Sequence, residues 1–217
     1  MPTEPQPNPF TSHPQVRELL AHLDHPSAIQ AYLDSVPYSP EERNRCPLNV
    51  VRDGTAHCLD GGLFAAAALR RLGYAPRLVD LLPEPDRDDD HVLAIYQVGG
   101  LFGCLAKSNF PGLRAREPVY RSLRELAMSY FEFFFNVDGE KTLRGYTAPF
   151  DLSRLDALGW EWQDAGADAM EARLKTLRRT ALLPEGAAAR LSRVDPLSEK
   201  AFTLGINWDG VYRPKEA

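Results

Sequence analysis

Cysteine is scarce in this sequence, and its distribution excludes two kinds of cross-linked protein. Only three cysteines occur among the 217 residues, at Cys46, Cys58 and Cys104. No two of them are close enough for a Cys-x-x-Cys pair, and three is an odd number. The pattern therefore fits neither a disulfide framework nor a structural zinc site. A chain of this length can bury enough surface to fold without either cross-link, so we expect neither a disulfide nor a metal.

Long apolar runs, an excess of basic residues and several familiar motifs are also missing. No run approaches the roughly 20 residues of a membrane span, and the first ten residues lack the basic start and apolar core of a secretory signal. Acidic residues (30) outnumber lysine and arginine (25), which argues against a broad nucleic-acid surface. There is no P-loop, dinucleotide glycine pattern, G-x-S-x-G or H-E-x-x-H. We expect a cytoplasmic protein that uses no membrane, nucleic acid or cofactor.

Proline positions and helical spacing outline the beginning of the chain. Residues 1–12 are rich in proline and polar side chains, which predicts a loose arm. Apolar residues recur every three or four positions in Pro14–Leu23 and in Pro26–Val36, and we predict a helix over each. Residues 37–47 hold three prolines, which predicts a connector.

The clearest signal is a central helix in the stretch AHCLDGGLFAAAALRRLG. It is apolar on nearly all sides, as expected of a buried helix. We predict Thr55 as its N-cap, which places Cys58 in the first turn, and Gly73 as its C-terminal cap. Gly61 and Gly62 are poor helix formers, and they indicate the close approach of a neighbouring element.

Three strands are predicted after this helix. They cover Arg77–Leu82, His91–Val98 and Leu101–Lys107, with an acidic loop, PEPDRDDD, between the first two. We expect this loop to be solvated. If Gly99-Gly100 is a two-residue turn, Val98 pairs with Leu101 and His91 faces Ser108.

The second half of the chain is predicted to be mainly helical. Helical spacing covers Val119–Phe135, Ala169–Leu182 and Pro196–Leu204. The composition shifts near residue 150, beyond which all three tryptophans lie. We predict an α+β domain over residues 13–150, with N-terminal helices and a buried helix packed on an antiparallel sheet, followed by a helical extension over 151–217.

Cysteine and histidine form the candidate chemical site. Cys58 at a helix start can be stabilised as a thiolate by the helix dipole and free N–H groups. His91, at the start of a strand, can act as its base, and a third residue would hold the imidazole in one tautomer. The simple hairpin register selects Ser108, whereas side-chain chemistry favours Asn109, whose amide oxygen can accept the imidazole N–H. Both remain candidates, and we favour Asn109.

An oxyanion hole would complete such a site. The backbone N–H of Cys58 supplies one donor, and a second is needed. Asn49 and His57 are the candidates, although each residue type is also common at helix starts and surfaces.

The stretch from Val50 to Leu81 resembles the transglutaminase-like superfamily. Members carry a glycine shortly before a nucleophilic cysteine, an acidic residue two places after it, an alanine-rich helix ending in Arg-x-x-Gly, and a Pro-Arg or Ala-Arg entry into a strand. The family's histidine begins the next strand, and its third residue is usually an aspartate. The matching residues here are Gly54, Cys58, Asp60, Leu63–Ala68, Arg70 or Arg71 with Gly73, Pro76-Arg77 and His91. The segment Leu101–Phe110 contains no aspartate, so Ser108 or Asn109 takes that place.

The resemblance implies a papain-like core and thiol-dependent acyl chemistry. Cys58 would attack an amide or ester carbonyl, His91 would move the proton, and the acyl group would pass to water or to an amine. The expected substrate is a peptide, an isopeptide, a protein or a small amide. Hydrolysis is favoured over transfer. The alternative is a catalytically inactive binding module of the same fold, which holds a partner protein in its cleft.

Overall fold

The computed structural model describes residues 8–214 and has an α+β architecture. Helices surround one antiparallel sheet, and short 3-10 turns connect several elements. The helices in the described residues are α1 (Pro9–Ser12), α2 (Pro14–His22), α3 (Pro26–Ser35), α4 (Pro47–Asp53), α5 (Cys58–Arg71), α6 (Leu123–Met128), α7 (Asp164–Leu174) and α8 (Pro196–Phe202).

The seven strands of the sheet all pair in antiparallel fashion. They are β1 (Arg77–Pro83), β2 (His91–Val98), β3 (Leu101–Leu105), β4 (Arg116–Tyr120), β5 (Leu143–Thr147), β6 (Phe150–Asp151) and β7 (Arg179–Ala181). The spatial order is β4-β3-β2-β1-β5-β7, and β6 also pairs with β1.

The central helix α5 covers one face of the sheet, and a second apolar cluster covers the other. Because side chains alternate along a strand, paired residues in β1 and β2 point to the same face. We call the side toward α5 the helix face and the other side the aromatic face. The helix face carries Leu78, Asp80, Val92 and Ala94, and the aromatic face carries Val79, Leu81, His91 and Leu93.

Two local predictions are confirmed by the backbone. Val98 pairs with Leu101, and Gly99 and Gly100 adopt φ values of 58° and 82°, so the turn has two residues. The helix glycines mark a close approach, because a Cβ at Gly61 would lie 2.1 Å from the Cβ of Lys107. A Cβ at Gly62 would lie 2.9 Å from a methyl group of Val92.

The N-terminal end of α5 differs from the prediction. His57 is the N-cap: its Nδ1 accepts the backbone N–H of Leu59 at 3.2 Å, and the Asp60 carboxylate accepts the backbone N–H of His57 at 3.2 Å. This reciprocal arrangement is a capping box. Thr55 instead donates its hydroxyl to the Pro37 carbonyl at 3.3 Å. The helix consequently begins at Cys58 itself.

Two long predicted helices are shorter in the structure. The segment Val119–Phe135 contains the end of β4 and then the six-residue α6, because Ser122 caps a new helix start. The segment Ala169–Leu182 contains the end of α7 followed by β7. Apolar residues of both segments are buried in the two apolar clusters that cover the sheet, and their periodicity alone does not distinguish such residues from a helix.

Segments near both ends of the described residues are integrated into the fold. Of the predicted N-terminal arm, residues 1–7 lie outside the described residues, whereas Phe10 is buried in the core beside Phe64. The predicted boundary near residue 150 falls within β6. The following segment is not purely helical, since it adds β7 to the sheet and Trp160 to the core around α5.

None of the helices in residues 8–214 has the length and apolar character needed to cross a bilayer.

Candidate functional site

A cleft of about 720 Å³ opens beside the start of α5. One wall is the first turn of α5, with Cys58, and the floor is formed by the ends of β1 and β2 on the helix face of the sheet. The loop at 38–44, helix α7, strand β7 and the segment 209–212 complete the rim. The cleft is therefore assembled from both halves of the chain.

Cys58 is buried at the inner end of this cleft and keeps a neutral thiol. Its Sγ lies 3.9 Å from the backbone carbonyl of Asp90. Burial raises the pKa of the Cys58 thiol well above its ordinary value, and the negative charges of Asp90 and Asp89 raise it further. The N-terminal position on α5, which favours a thiolate, is outweighed by these effects.

The structure does not bring His91 to Cys58. His91 is the first residue of β2 and points to the aromatic face, whereas Cys58 packs on the helix face. Its Nε2 donates to the Leu113 carbonyl at 2.7 Å, and its ring centroid lies 6.3 Å from that of Tyr130. Burial lowers the pKa of His91 to about 4. His91 is thus a neutral, hydrogen-bonded core residue.

Ser108 and Asn109 have other partners as well. The Ser108 hydroxyl accepts the backbone N–H of Phe110 at 2.9 Å, which stabilises a turn. The Asn109 amide forms two hydrogen bonds of 2.8 Å with the backbone of Asn207, one as donor and one as acceptor. Neither side chain forms a hydrogen bond with the His91 ring, and regular pairing of β2 with β3 ends at Ala94 and Leu105.

The two predicted oxyanion donors are also engaged elsewhere. Asn49 donates its side-chain amide to Asp164 at 2.8 Å, where it helps to hold the start of α4 against α7. His57 caps α5, and its Nε2 lies 3.2 Å from the Asp60 carboxylate. Sequence reasoning missed Tyr38, whose hydroxyl faces the backbone N–H of Cys58.

Two carboxyl groups form the floor of the cleft, and sequence reasoning missed their proximity. Asp80 lies opposite Val92 in the β1–β2 register, and Asp90 precedes Val92 by two residues, so both side chains are on the helix face. Burial raises the pKa of Asp80 well above its usual range and that of Asp90 to about 6. The signal was present: Asp80 is a charged residue in the middle of an otherwise apolar strand.

The rim of the cleft is strongly acidic. Lys175 and Arg179 are the lysine and arginine residues that line it, and Lys175 is paired with Glu171 at 2.6 Å. The carboxylates that line it are Glu41, Glu42, Asp80, Asp89, Asp90, Glu171 and Asp209. Across residues 8–214, no group of three or more histidine, cysteine and acidic side chains has an arrangement that could hold a metal ion.

A segment near the C-terminus separates this cleft from a second cavity. We call Asn207–Tyr212 the strap; it is held by Asn109 and by the Tyr38 carbonyl, which accepts the Asn207 side-chain amide at 3.4 Å. A cavity of about 50 Å³ on its other side is lined by His91, Ser108 and Asn109. The strap lines both spaces, with Cys58 in the larger one and Ser108 and Asn109 in the smaller one.

Comparison with known proteins supplies no assignment. The chain matches no protein-family model and no curated protein. The likeness to the transglutaminase-like superfamily rests on the sequence pattern from Val50 to Leu81.

Proposed function

We propose that the Cys58 cleft is a recognition site for a partner protein that carries a basic segment. The observation that carries this proposal is the environment of Cys58, whose thiol is buried among carboxyl groups, while His91 lies on the other face of the sheet and His57 is engaged in capping α5. An acyl-transfer cysteine needs a thiolate and a base, and this environment disfavours the thiolate and places the predicted base, His91, out of reach of the sulfur. An acidic concave surface of this volume suits a cationic segment.

We also propose that the fold is the papain-like arrangement of the transglutaminase-like superfamily. Support comes from the central helix α5, which begins at Cys58 and packs against an antiparallel sheet with the adjacent strands β1 and β2. On this proposal the chain keeps the packing of the superfamily, and the chemistry of its cleft has changed.

Thiol-dependent acyl chemistry is the second candidate, and one observation favours it. Cys58 lines an open cleft at a helix start, and the Tyr38 hydroxyl beside its backbone N–H could help to hold an oxyanion. The reaction would hydrolyse a peptide or small amide, or pass its acyl group to an amine. It would require a base other than His91 in its present position, because the sheet lies between that ring and the sulfur.

Alkylation of Cys58 separates the two candidates. Iodoacetamide labelling would be followed across pH by mass spectrometry, with free glutathione in the same sample as the reference thiol. A recognition site predicts slower labelling than glutathione, with an apparent thiol pKa above about 8.5, and the same profile in His91→Gln. Rapid labelling at neutral pH that His91→Gln abolishes would establish the catalytic pair and overturn the proposal.

Cys58 also reports on occupancy of the cleft. A mixture of short peptides rich in lysine and arginine should slow its alkylation, because such peptides would lie across the acidic rim. A matched mixture rich in glutamate should leave the rate unchanged. Equal rates with both mixtures would contradict recognition of a basic segment.

A further inference from the structure

Asp80 is a buried carboxyl group with an incomplete set of hydrogen bonds. Its side chain is 2 % exposed, and its Oδ1 accepts no hydrogen bond from any residue that the structure describes. The backbone N–H of Asp80 is satisfied by the Thr147 hydroxyl at 3.0 Å, so the deficit belongs to the carboxyl group alone. Buried acceptors normally have partners, and an unfilled one on the floor of a cleft indicates a donor that comes from outside.

Asp90 is a second carboxyl group on the same face of the sheet as Asp80. Burial and then the negative charge of Asp90 raise the pKa of Asp80, so the two neighbouring carboxyl groups favour a state that holds one proton between them. Asp90 retains surface open to the cleft, whereas Asp80 lies beneath it. We call these two residues the carboxyl pair. A ligand with several donors in one plane could bond both members and replace the shared proton.

We propose that the carboxyl pair binds a guanidinium group, as carried by an arginine side chain of the partner. The inference rests on the proposed function, since it names the chemical group that the cleft recognises. A guanidinium is always charged, presents five N–H donors in a planar fork, and is more weakly hydrated than an ammonium. It therefore suits two adjacent carboxyl groups in a partly dry site.

The cleft walls suit the rest of an arginine side chain. Apolar side chains surround the approach to the pair and could cover the three methylene groups of the stem. These residues are Leu59, Leu82, Val92 and Leu174. Arg179 also lines the cleft, and its charge partly offsets the burial that raises the pKa of Asp80.

Proton release gives the binding a distinct signature. The shared proton passes to solvent when the cation enters, so affinity should weaken as pH falls through about 6, where Asp90 becomes protonated. The groups facing the pair from the surrounding elements are Tyr38, Glu41, Glu42, His57, Cys58, Asp89, Glu171, Lys175, Arg179, Asp209 and Tyr212. Burial also raises the pKa of Asp89, so a second released proton would be assigned to that group.

Calorimetric titration of the whole chain with Nα-acetyl-arginine N-methylamide at low ionic strength tests the inference. Binding should exceed that of the citrulline derivative, a neutral isostere, and of the lysine derivative by at least about tenfold. Titrations in two buffers of different ionisation enthalpy should show proton release. Asp80→Asn and Asp90→Asn should each weaken binding about tenfold or more, and Asp209→Asn on the rim should change it less than about threefold.

The outcomes distinguish this inference from the proposed function. Equal binding of the arginine and citrulline derivatives, or unchanged binding in both carboxyl variants, would mean that water satisfies Asp80 and would overturn the inference. If the arginine derivative bound only to the Arg179→Gln variant, Arg179 would occupy the carboxyl pair in the wild-type protein. That result would also overturn the inference. In either case slow alkylation of Cys58 would leave the recognition cleft standing, whereas fast, His91-dependent alkylation would remove the cleft proposal itself.

Discussion

His91 shows how one buried side chain can couple stability to pH without taking part in chemistry. The Leu113 carbonyl can only accept a hydrogen bond, so Nε2 of His91 carries the proton and the ring is neutral. Protonation would place a charge inside the aromatic face, near the cationic Arg116. The folded structure therefore favours the neutral form of His91.

Replacing His91 should remove a pH-dependent part of the stability. In the unfolded chain histidine takes up a proton near pH 6.5, whereas folded His91 has a pKa of about 4. Its contribution is therefore complete above pH 6.5 and is lost as pH falls toward 4, by about 3 kcal/mol. The difference in unfolding free energy between wild type and His91→Gln, measured in urea, should shrink by about that amount over this range.

The difference between variants is the useful quantity, because other groups act in the opposite sense. Burial raises the pKa of Asp88 and of Asp90 to about 6, so protonation of these groups stabilises the fold on acidification. Leu93→Ala, on the same face of β2, is the control and should give a difference that does not vary with pH. A constant difference for His91→Gln as well would show that the folded ring titrates normally.

Asp90 should govern the acidity of the Cys58 thiol. Its charge is the largest electrostatic cause of the raised thiol pKa, after burial. Asp90→Asn should therefore lower that pKa and speed alkylation of Cys58 near pH 8 by several-fold. Asp209→Asn alters a carboxylate of the same cleft that is not among the causes, and it should have a smaller effect. Equal effects of the two substitutions would indicate general screening of charge.

At the scale of the element, the packing of helix α5 and the path of the Lys107 side chain depend on each other. The Lys107 ammonium donates to the Leu33 carbonyl at 2.8 Å and also to the Val36 carbonyl, which satisfies the C-terminal end of α3. Burial lowers the pKa of Lys107 to about 8. Its side chain reaches α3 by passing directly over Gly61, and only a glycine leaves room for it.

Gly61→Ala should therefore destabilise the protein even though alanine is the better helix former. The new Cβ would meet the Lys107 Cβ at 2.1 Å, and that atom cannot rotate away. Overpacking should outweigh the gain in helix propensity of up to about 1 kcal/mol and leave a net loss of about 2 kcal/mol. Chemical unfolding would measure it. Gly62→Ala, which meets a methyl group of Val92, should lose less, and the reverse order would contradict this account.

Elements that are determined by their own local sequence could be predicted. The Gly99-Gly100 turn determines its own hairpin, and the alanine-rich stretch determines α5. Strand β7 could not be predicted, because three residues carry no alternation and are held by pairing with β5. The position of the strap could not be predicted either, because it depends on a hydrogen bond with Asn109, which is distant in the sequence.

The face of the sheet on which His91 lies could not be predicted either. That face determines whether the His91 ring can reach Cys58. Strand β2 is buried on both sides over its first six residues, so its sequence is apolar throughout and its alternation is hidden. The sequence established that His91 begins the strand, and packing of α5 on the other face decided which side chains meet Cys58. Asp80 and Asp90 occupy the place that was predicted for His91.

At the scale of the whole molecule, the strap links the C-terminal part of the described chain to Asn109. Asn109→Ala removes two hydrogen bonds of 2.8 Å to Asn207 and should release the strap while the sheet stays intact. We expect faster amide hydrogen exchange and new proteolytic cleavage within 206–212, with a fall in unfolding free energy of only about 1–2 kcal/mol. Ser108→Ala, which removes one bond within a local turn, should leave the strap protected. Protection of the strap in both variants would show that Tyr38 alone holds it.

The strap also dictates the order in which the site can be completed during synthesis. Asn207 is translated 98 residues after Asn109, which takes about 5–20 s at ordinary elongation rates. In that interval helix α5 and strands β1 to β3 have left the ribosome, but the amide of Asn109 has only water as a partner. The cleft beside Cys58 then lacks the part of its rim that residues 209–212 form, and this rim is completed only when the last described residues emerge.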